Sequence, residues 1–174
     1  MEVYEAITTR RSIRKYTAEA VPADLVKELL VAAMSAPSAS NRQPWHFVVV
    51  NERQQLDALT TVLPYGQMLQ QAPLAIVVCG DAQRQGTEGF WVQDCSAATQ
   101  NILLAAHARG LGAVWLGVYP RAERVQGVSR LLGLPAHVIP LCVVPIGYPA
   151  EHKSPANRYD EARVGMVQFS LEIR

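Results

Sequence analysis

The sequence predicts an α+β chain (α/β layered), a single domain over residues 1–174 in which helices flank a β-sheet. Three observations lead there. Short β-branched runs at Phe47–Val50, Leu74–Cys79, Ala113–Val118 and Ile139–Ile146 interleave with longer stretches of three-to-four apolar spacing. Helical patterns precede the first strand, so the order is not a strict alternation of strand and helix. With 174 residues, 49% hydrophobic and 18% charged, the chain is large and apolar enough to build one core without metal or disulfide staples.

Taken in order, Val3–Thr9 reads as a short helix that runs into Arg10-Arg11-Ser12-Ile13-Arg14-Lys15-Tyr16. If helical geometry continues, Arg10 and Arg14 share a face. Pro22 and Asp24 open a second helix, whose Leu25, Leu29 and Ala33 recur at i+4 beside Val26 and Leu30, and Pro37 ends it. Residues 35–44 form a polar loop of small residues before the strand Phe47–Val50. A helix over Glu52–Val62 is broken by Pro64-Tyr65-Gly66, and the buried strand Leu74–Cys79 stops at Gly80-Asp81. The longest helix, Trp91–Arg109, carries Cys95, Thr99, Ile102 and Ala106 among small residues, so it packs closely and centrally, with Gly110 as its C′ residue. The strand Ala113–Val118, the helix Glu123–Leu132 and the strand Ile139–Ile146 follow. Pro140 and Pro145 imply that this last strand begins and ends irregularly or lies near an edge. Val164–Ile173 reads as an extended arm.

The charge balance excludes several classes of function. Sixteen basic and 15 acidic residues leave a net charge of +1, so no global field steers this protein. Cys79, Cys95 and Cys142 are odd in number and widely spaced, which fits neither a disulfide scaffold nor a zinc site and is compatible with a reducing cytoplasm. No basic and apolar leader opens the sequence, and no apolar run approaches a membrane span. Gly110-Leu111-Gly112 begins like a dinucleotide fingerprint, but position 115 is Trp and the motif precedes a strand. No Walker lysine occurs, and Gly127-Val128-Ser129 lacks the closing glycine of a nucleophile elbow. His46, His107, His137 and His152 are too scattered for a helical metal pair, and the cysteines read as apolar filler. No protein nucleophile and no metal site is expected.

Four features carry chemistry. Four cations fall within Arg10–Lys15 of an otherwise neutral chain, and guanidinium forks match phosphate oxygens. A solvated helix end explains them as well. Pro37-Ser38-Ala39-Ser40-Asn41-Arg42-Gln43-Pro44-Trp45 offers small residues and polar groups for a ring edge, or forms an ordinary loop. Gly110–Gly117 ends in a glycine that lets a flat ligand lie against backbone, or is a helix cap followed by a core strand. Lys153 and Arg158 form a basic pair in a late loop, or a solvated turn.

These four features, in this order, resemble the nitroreductase family of FMN-dependent oxidoreductases. The match runs from Tyr4 to about Arg163 and includes Gly147-Tyr148-Pro149-Ala150-Glu151-His152-Lys153 with Arg158-Tyr159-Asp160. The resemblance implies a sheet flanked by helices in an intertwined homodimer, with exchange of the C-terminal arm. It implies that Arg10, Ser12 and Arg158 hold the FMN phosphate, that Arg11 helps through side chain or backbone, and that Arg14 sits by the N1–C2=O edge of the flavin. Pro37, Ser38 and Ala39 would come from the partner subunit to cover one flavin face, with Asn41 near the ring. Leu116 and Gly117 would offer a backbone N–H to flavin N5. NADH or NADPH would supply electrons by a ping-pong scheme to a nitroaromatic, quinone or similar small acceptor, in the cytoplasm, with no nucleic acid or membrane partner. The short segment between Asp81 and Phe90 implies a more open pocket than that of larger relatives. A non-catalytic flavin-binding or flavin-delivering protein would use the same motifs. A nucleic-acid reader built on Arg10–Tyr16 is disfavoured by overall neutrality.

Overall fold

The computed structural model describes residues 1–84 and 89–166. Five helices are found: α1 (Val3–Thr9), α2 (Ala23–Met34), α3 (Arg53–Val62), α4 (Phe90–Ala108) and α5 (Ala122–Leu132). The strands are β1 (Trp45–Val50), β2 (Leu74–Asp81), β3 (Gly112–Ala113), β4 (Leu116–Gly117) and β5 (Val138–Gly147). They form one antiparallel sheet of order β1-β2-β5-β3, with β4 also paired to β5.

Strand alternation divides the core into two layers. Ile76 and Val78 of β2 and Val144 and Ile146 of β5 face Leu29 and Ala33 of α2 and Cys95, Ala98, Ile102 and Ala106 of α4. Ala75, Val77 and Cys79 face the other way, onto Leu56 and Leu59 of α3 and Val128 of α5. Both faces of β2 and β5 are therefore covered, which explains why these strands read as unbroken apolar runs rather than alternating ones. Burying each of Leu29, Leu59, Ile76 and Ile102 contributes roughly 1.5–3 kcal/mol.

Two strands differ from the sequence expectation. Ala113–Val118 is not one strand. Val114 and Trp115 leave the ladder opposite Val144 and Pro145, and Pro145 has no N–H to offer a partner. The irregularity expected of β5 is present, since the register shifts between Val78 and Cys79 next to Pro140. The edge position is not, because β5 lies between β2 and the short strands. Its prolines are tolerated where the ladder is already interrupted. Of the expected arm Val164–Ile173, residues 167–173 lie outside the described residues, as do residues 85–88 of the short segment after Asp81.

Candidate functional site

The sequence leaves the conformation of residues 10–16 open. They do not continue α1. Arg10 leaves the helix with φ −56° and ψ 130°, and the chain then runs as a strap along the end of the sheet. Ser12 pairs with Ala113 in parallel, Ile13 donates its N–H to the Ala113 carbonyl at 3.1 Å, and Tyr16 pairs with Pro149. A helix would stack Arg10 and Arg14 as like charges one turn apart, whereas the strap finds backbone partners on residues already in place. Gly112 permits this close approach: a Cβ there would lie 2.6 Å from Ile13 Cγ2.

In an extended chain Arg10, Ser12 and Arg14 fall on one side and Arg11 and Ile13 on the other. The surroundings agree. Arg10 lines a hollow of about 520 Å³ with Tyr4, Asn157, Arg158 and Tyr159. Arg14 lines one of about 190 Å³ with Tyr65, Trp115, Leu116, Gly117 and Arg124. Arg11 lines a separate hollow with His107, Glu151 and Lys153, and its guanidinium donates to the Ser154 carbonyl.

The electrostatics single out Arg10. Burial, then the nearby charges of Arg158 and Arg11, push its pKa below the usual value. Arginine does not deprotonate in proteins, so the shift marks a half-buried guanidinium whose cost is raised further by the neighbouring charges of Arg158 and Arg11. Among the described residues, neither Arg10, Arg14 nor Arg158 forms an ion pair with a carboxylate. Lys153 is different. Its Nζ lies 3.0 Å from Glu151 Oε1 and donates to the Ser12 carbonyl at 2.8 Å, so it secures the strap rather than standing free. His107, joined to Thr9 Oγ1 at 2.8 Å, is lowered by burial and by Arg10.

Gly117 supplies a different group. Val118 donates its N–H to Leu141 on β5, so Val118 faces β5 and Gly117, one residue earlier, turns its N–H and carbonyl away from it. The carbonyl is taken by Arg124, which donates from Nη1 at 2.9 Å. A Cβ added at Gly117 would meet nothing within 4 Å, so the Cα of this residue is open to an approaching ligand.

Pro37, Ser38, Ala39 and Asn41 do not join this group within one chain, and none of the three hollows includes them. Their loop packs at the start of α4, where Ala39 donates its N–H to the buried Asp94 Oδ1 at 2.9 Å. Ser38 Oγ accepts from the Gln43 N–H, and Asn41 Oδ1 accepts from Gln43 Nε2. Ser40, Asn41 and Gln43 all have φ near +50°, a strained conformation for side chains with a Cβ.

Sequence reasoning missed Arg124, Tyr65, the strap-holding role of Glu151 and the loop-holding role of Asp94. No spacing rule marks any of them, because each acts on a segment remote in sequence or across a loop.

The half-buried Arg10, the exposed Arg14 and Arg158, none of them paired with a carboxylate among the described residues, and the outward Gly117 N–H fit an anionic, planar ligand laid along the strap, on a layered α+β frame. The chain belongs to the nitroreductase family, whose sequence profile matches residues 7–64 and 59–148. A provisionally named NADH dehydrogenase/NAD(P)H nitroreductase of Methanothermobacter thermautotrophicus is 54% identical over 169 residues, covering 97% of this chain and 88% of that protein. A solved structure of the same provisional name from Parabacteroides distasonis superposes with a TM-score of 0.92 at 42% identity, covering 96% of this chain and 98% of that one. A provisionally named nitroreductase from Desulfovibrio desulfuricans, solved in complex with FMN, gives a TM-score of 0.84 at 35% identity, covering 98% and 99%.

Proposed function

We propose that the chain is an FMN-dependent oxidoreductase that takes electrons from NADH or NADPH and passes them to a small nitroaromatic, quinone or similar acceptor. The observation that carries this reading is the convergence of Arg10 and Arg158 on one hollow, without a carboxylate partner among the described residues. The relative solved with FMN supports the choice of cofactor.

Bound FMN would supply reversible two-electron chemistry, which no side chain provides. The residues here give it position and field. Arg10 and Arg158 would hold the phosphate by charge-assisted hydrogen bonds, with Ser12 between them and the ring. Arg11 would contribute through the strap backbone, since its guanidinium is turned to Ser154. Arg14 would place a fixed cation by the N1–C2=O edge, where negative charge grows on reduction. Leu116 and Gly117 would direct the outward Gly117 N–H to N5. For a nitro acceptor, the hydride of NAD(P)H and one proton balance as NAD(P)H + H⁺ + ArNO₂ → NAD(P)⁺ + ArNO + H₂O. The two substrates would use one exposed side in turn, a ping-pong scheme.

Pro37, Ser38, Ala39 and Asn41 would cover the other side from a second copy of the chain, in a homodimer with exchanged C-terminal arms. Support comes from exposed apolar residues on α1 (Val3, Tyr4, Ile7) and α2 (Val31, Met34), next to a cleft of about 700 Å³ between α2 and α4. The three free, buried cysteines are compatible with a reducing cytoplasm. Among the described residues no helix is long and apolar enough to cross a membrane.

The test is a visible spectrum of the purified protein before and after each nicotinamide is added. Flavin bands that bleach rapidly support the enzyme. A yellow protein that neither nucleotide bleaches supports the flavin-delivering alternative, and a protein that takes up no FMN removes both.

A further inference from the structure

The hollow beside Gly117 has a second flank that binding and tuning the flavin leave unexplained. Arg124 stands in the first turn of α5, with its guanidinium carbon 5.9 Å from the centre of the Tyr65 ring. Tyr65 is 77% exposed and Trp115 36% exposed, so both rings present faces or edges to the solvent side of the hollow. Arg14 completes the charged lining, and no acidic residue lines the hollow. Glu123, the acidic residue in the same turn of α5, is exposed and outside it.

Arg124 is already held in position. One of its five N–H donors is spent on the Gly117 carbonyl, which leaves a fork of permanent positive charge fixed at the rim. A fixed cation loses little further rotamer freedom when it captures an anion, so the contact favours binding more than a floppy lysine would. The exposed tyrosine offers a flat platform next to it.

We propose that Arg124 and Tyr65 form a recognition site for an acidic aromatic acceptor, a single planar ring carrying a carboxylate or similar anionic group, and bring it to the edge of the site at Gly117. The inference rests on the oxidoreductase reading above and deepens it by naming the acceptor class. Arg124 acts by binding alone and moves no proton.

An anion beside a flat ring also occurs in the nicotinamide nucleotides, so the test separates the two sources. Benzoate and benzamide, non-reducible and nearly equal in shape, are titrated into the FMN-loaded protein by calorimetry and by perturbation of the visible band. Benzoate binds about tenfold more tightly than benzamide, the size of one exposed charged contact. Arg124→Gln brings that ratio close to one, Arg124→Lys leaves it between, and Tyr65→Leu weakens both ligands without removing the preference for the acid. Equal binding of the two probes by the unaltered protein overturns the inference. So does an unchanged ratio in Arg124→Gln, or a loss in that variant confined to NADPH relative to NADH. The absorbance of the same samples reports the cofactor separately: a colourless protein sinks the oxidoreductase reading, whereas a yellow one with no preference for benzoate sinks this inference alone.

Discussion

Glu151 holds the strap at Arg14: its Oε1 accepts the backbone N–H of Arg14 at 2.5 Å. The same oxygen lies 3.0 Å from Lys153 Nζ, and Lys153 reaches on to the Ser12 carbonyl. One carboxylate thus ties a segment near residue 14 to a loop near residue 151, and the position of Arg14 depends on that tie.

The tie is sensitive to acid. The Arg14 N–H bond, followed by Lys153, holds the Glu151 carboxyl below its ordinary value of 4.5. The folded chain therefore takes up this proton less readily than the unfolded chain. The resulting stabilisation is fully present above the unfolded value and is lost as pH falls through the folded one. Glu151→Ala should cost about 1–2 kcal/mol at neutral pH and much less at pH 3. Urea unfolding at both pH values checks this, and an equal cost at the two would disprove it.

Gly112→Ala should loosen the strap from the opposite side. The new Cβ would lie 2.6 Å from Ile13 Cγ2 and 2.8 Å from Ile13 Cβ, and a β-branched side chain has little freedom to turn aside. A loss of about 1–3 kcal/mol is expected. Adding Ile13→Ala removes the clash, so the double variant should be more stable than the sum of the two single costs predicts. Strict additivity in thermal melts would show that the two residues do not meet.

Arg14→Ala should lower the flavin midpoint potential by about 30 mV, corresponding to about 1.4 kcal/mol for a two-electron couple. Part of the FMN affinity should remain, because on the proposed reading Arg10 and Arg158 would still hold the phosphate. Spectroelectrochemical titration decides it, and an unmoved potential would place Arg14 away from the ring.

Arg158→Ala should show the opposite pattern. Loss of a charged phosphate contact weakens FMN binding by about 1.5–3 kcal/mol while the potential barely moves. Relief from Arg158 should also ease the crowding around Arg10, so part of the loss is offset. Fluorescence titration of the protein stripped of FMN measures the affinity. A large shift in potential with unchanged affinity would reverse the assigned roles of Arg14 and Arg158.

The elements legible in the sequence were those whose pattern is local. The spacing of Leu25, Leu29 and Ala33 located α2, and the apolar run from Leu74 located β2, because burial on one stripe or on both faces leaves a mark within ten residues. The course of the strap was not legible because Arg10–Arg14 carries the same cations whether it coils or extends. What decides is a pairing with Ala113, a hundred positions away. The same holds for Glu151 and Arg124, whose partners are the backbone N–H of Arg14 and the carbonyl of Gly117. A main-chain partner has no residue type, so no motif records it. The broken strand at Val114–Trp115 had a visible cause in Pro145, but only a known register connects the two.

Ser12 pairs with Ala113, the Arg14 N–H donates to the Glu151 carboxylate, and the Arg11 guanidinium donates to the Ser154 carbonyl. During synthesis the first arginines therefore leave the ribosome well before any of the residues that fix their direction. A truncated translation product lacks the loop that fastens the strap, whatever else of it has folded. The strap then takes its final course only once the segment around residues 151–154 has been made.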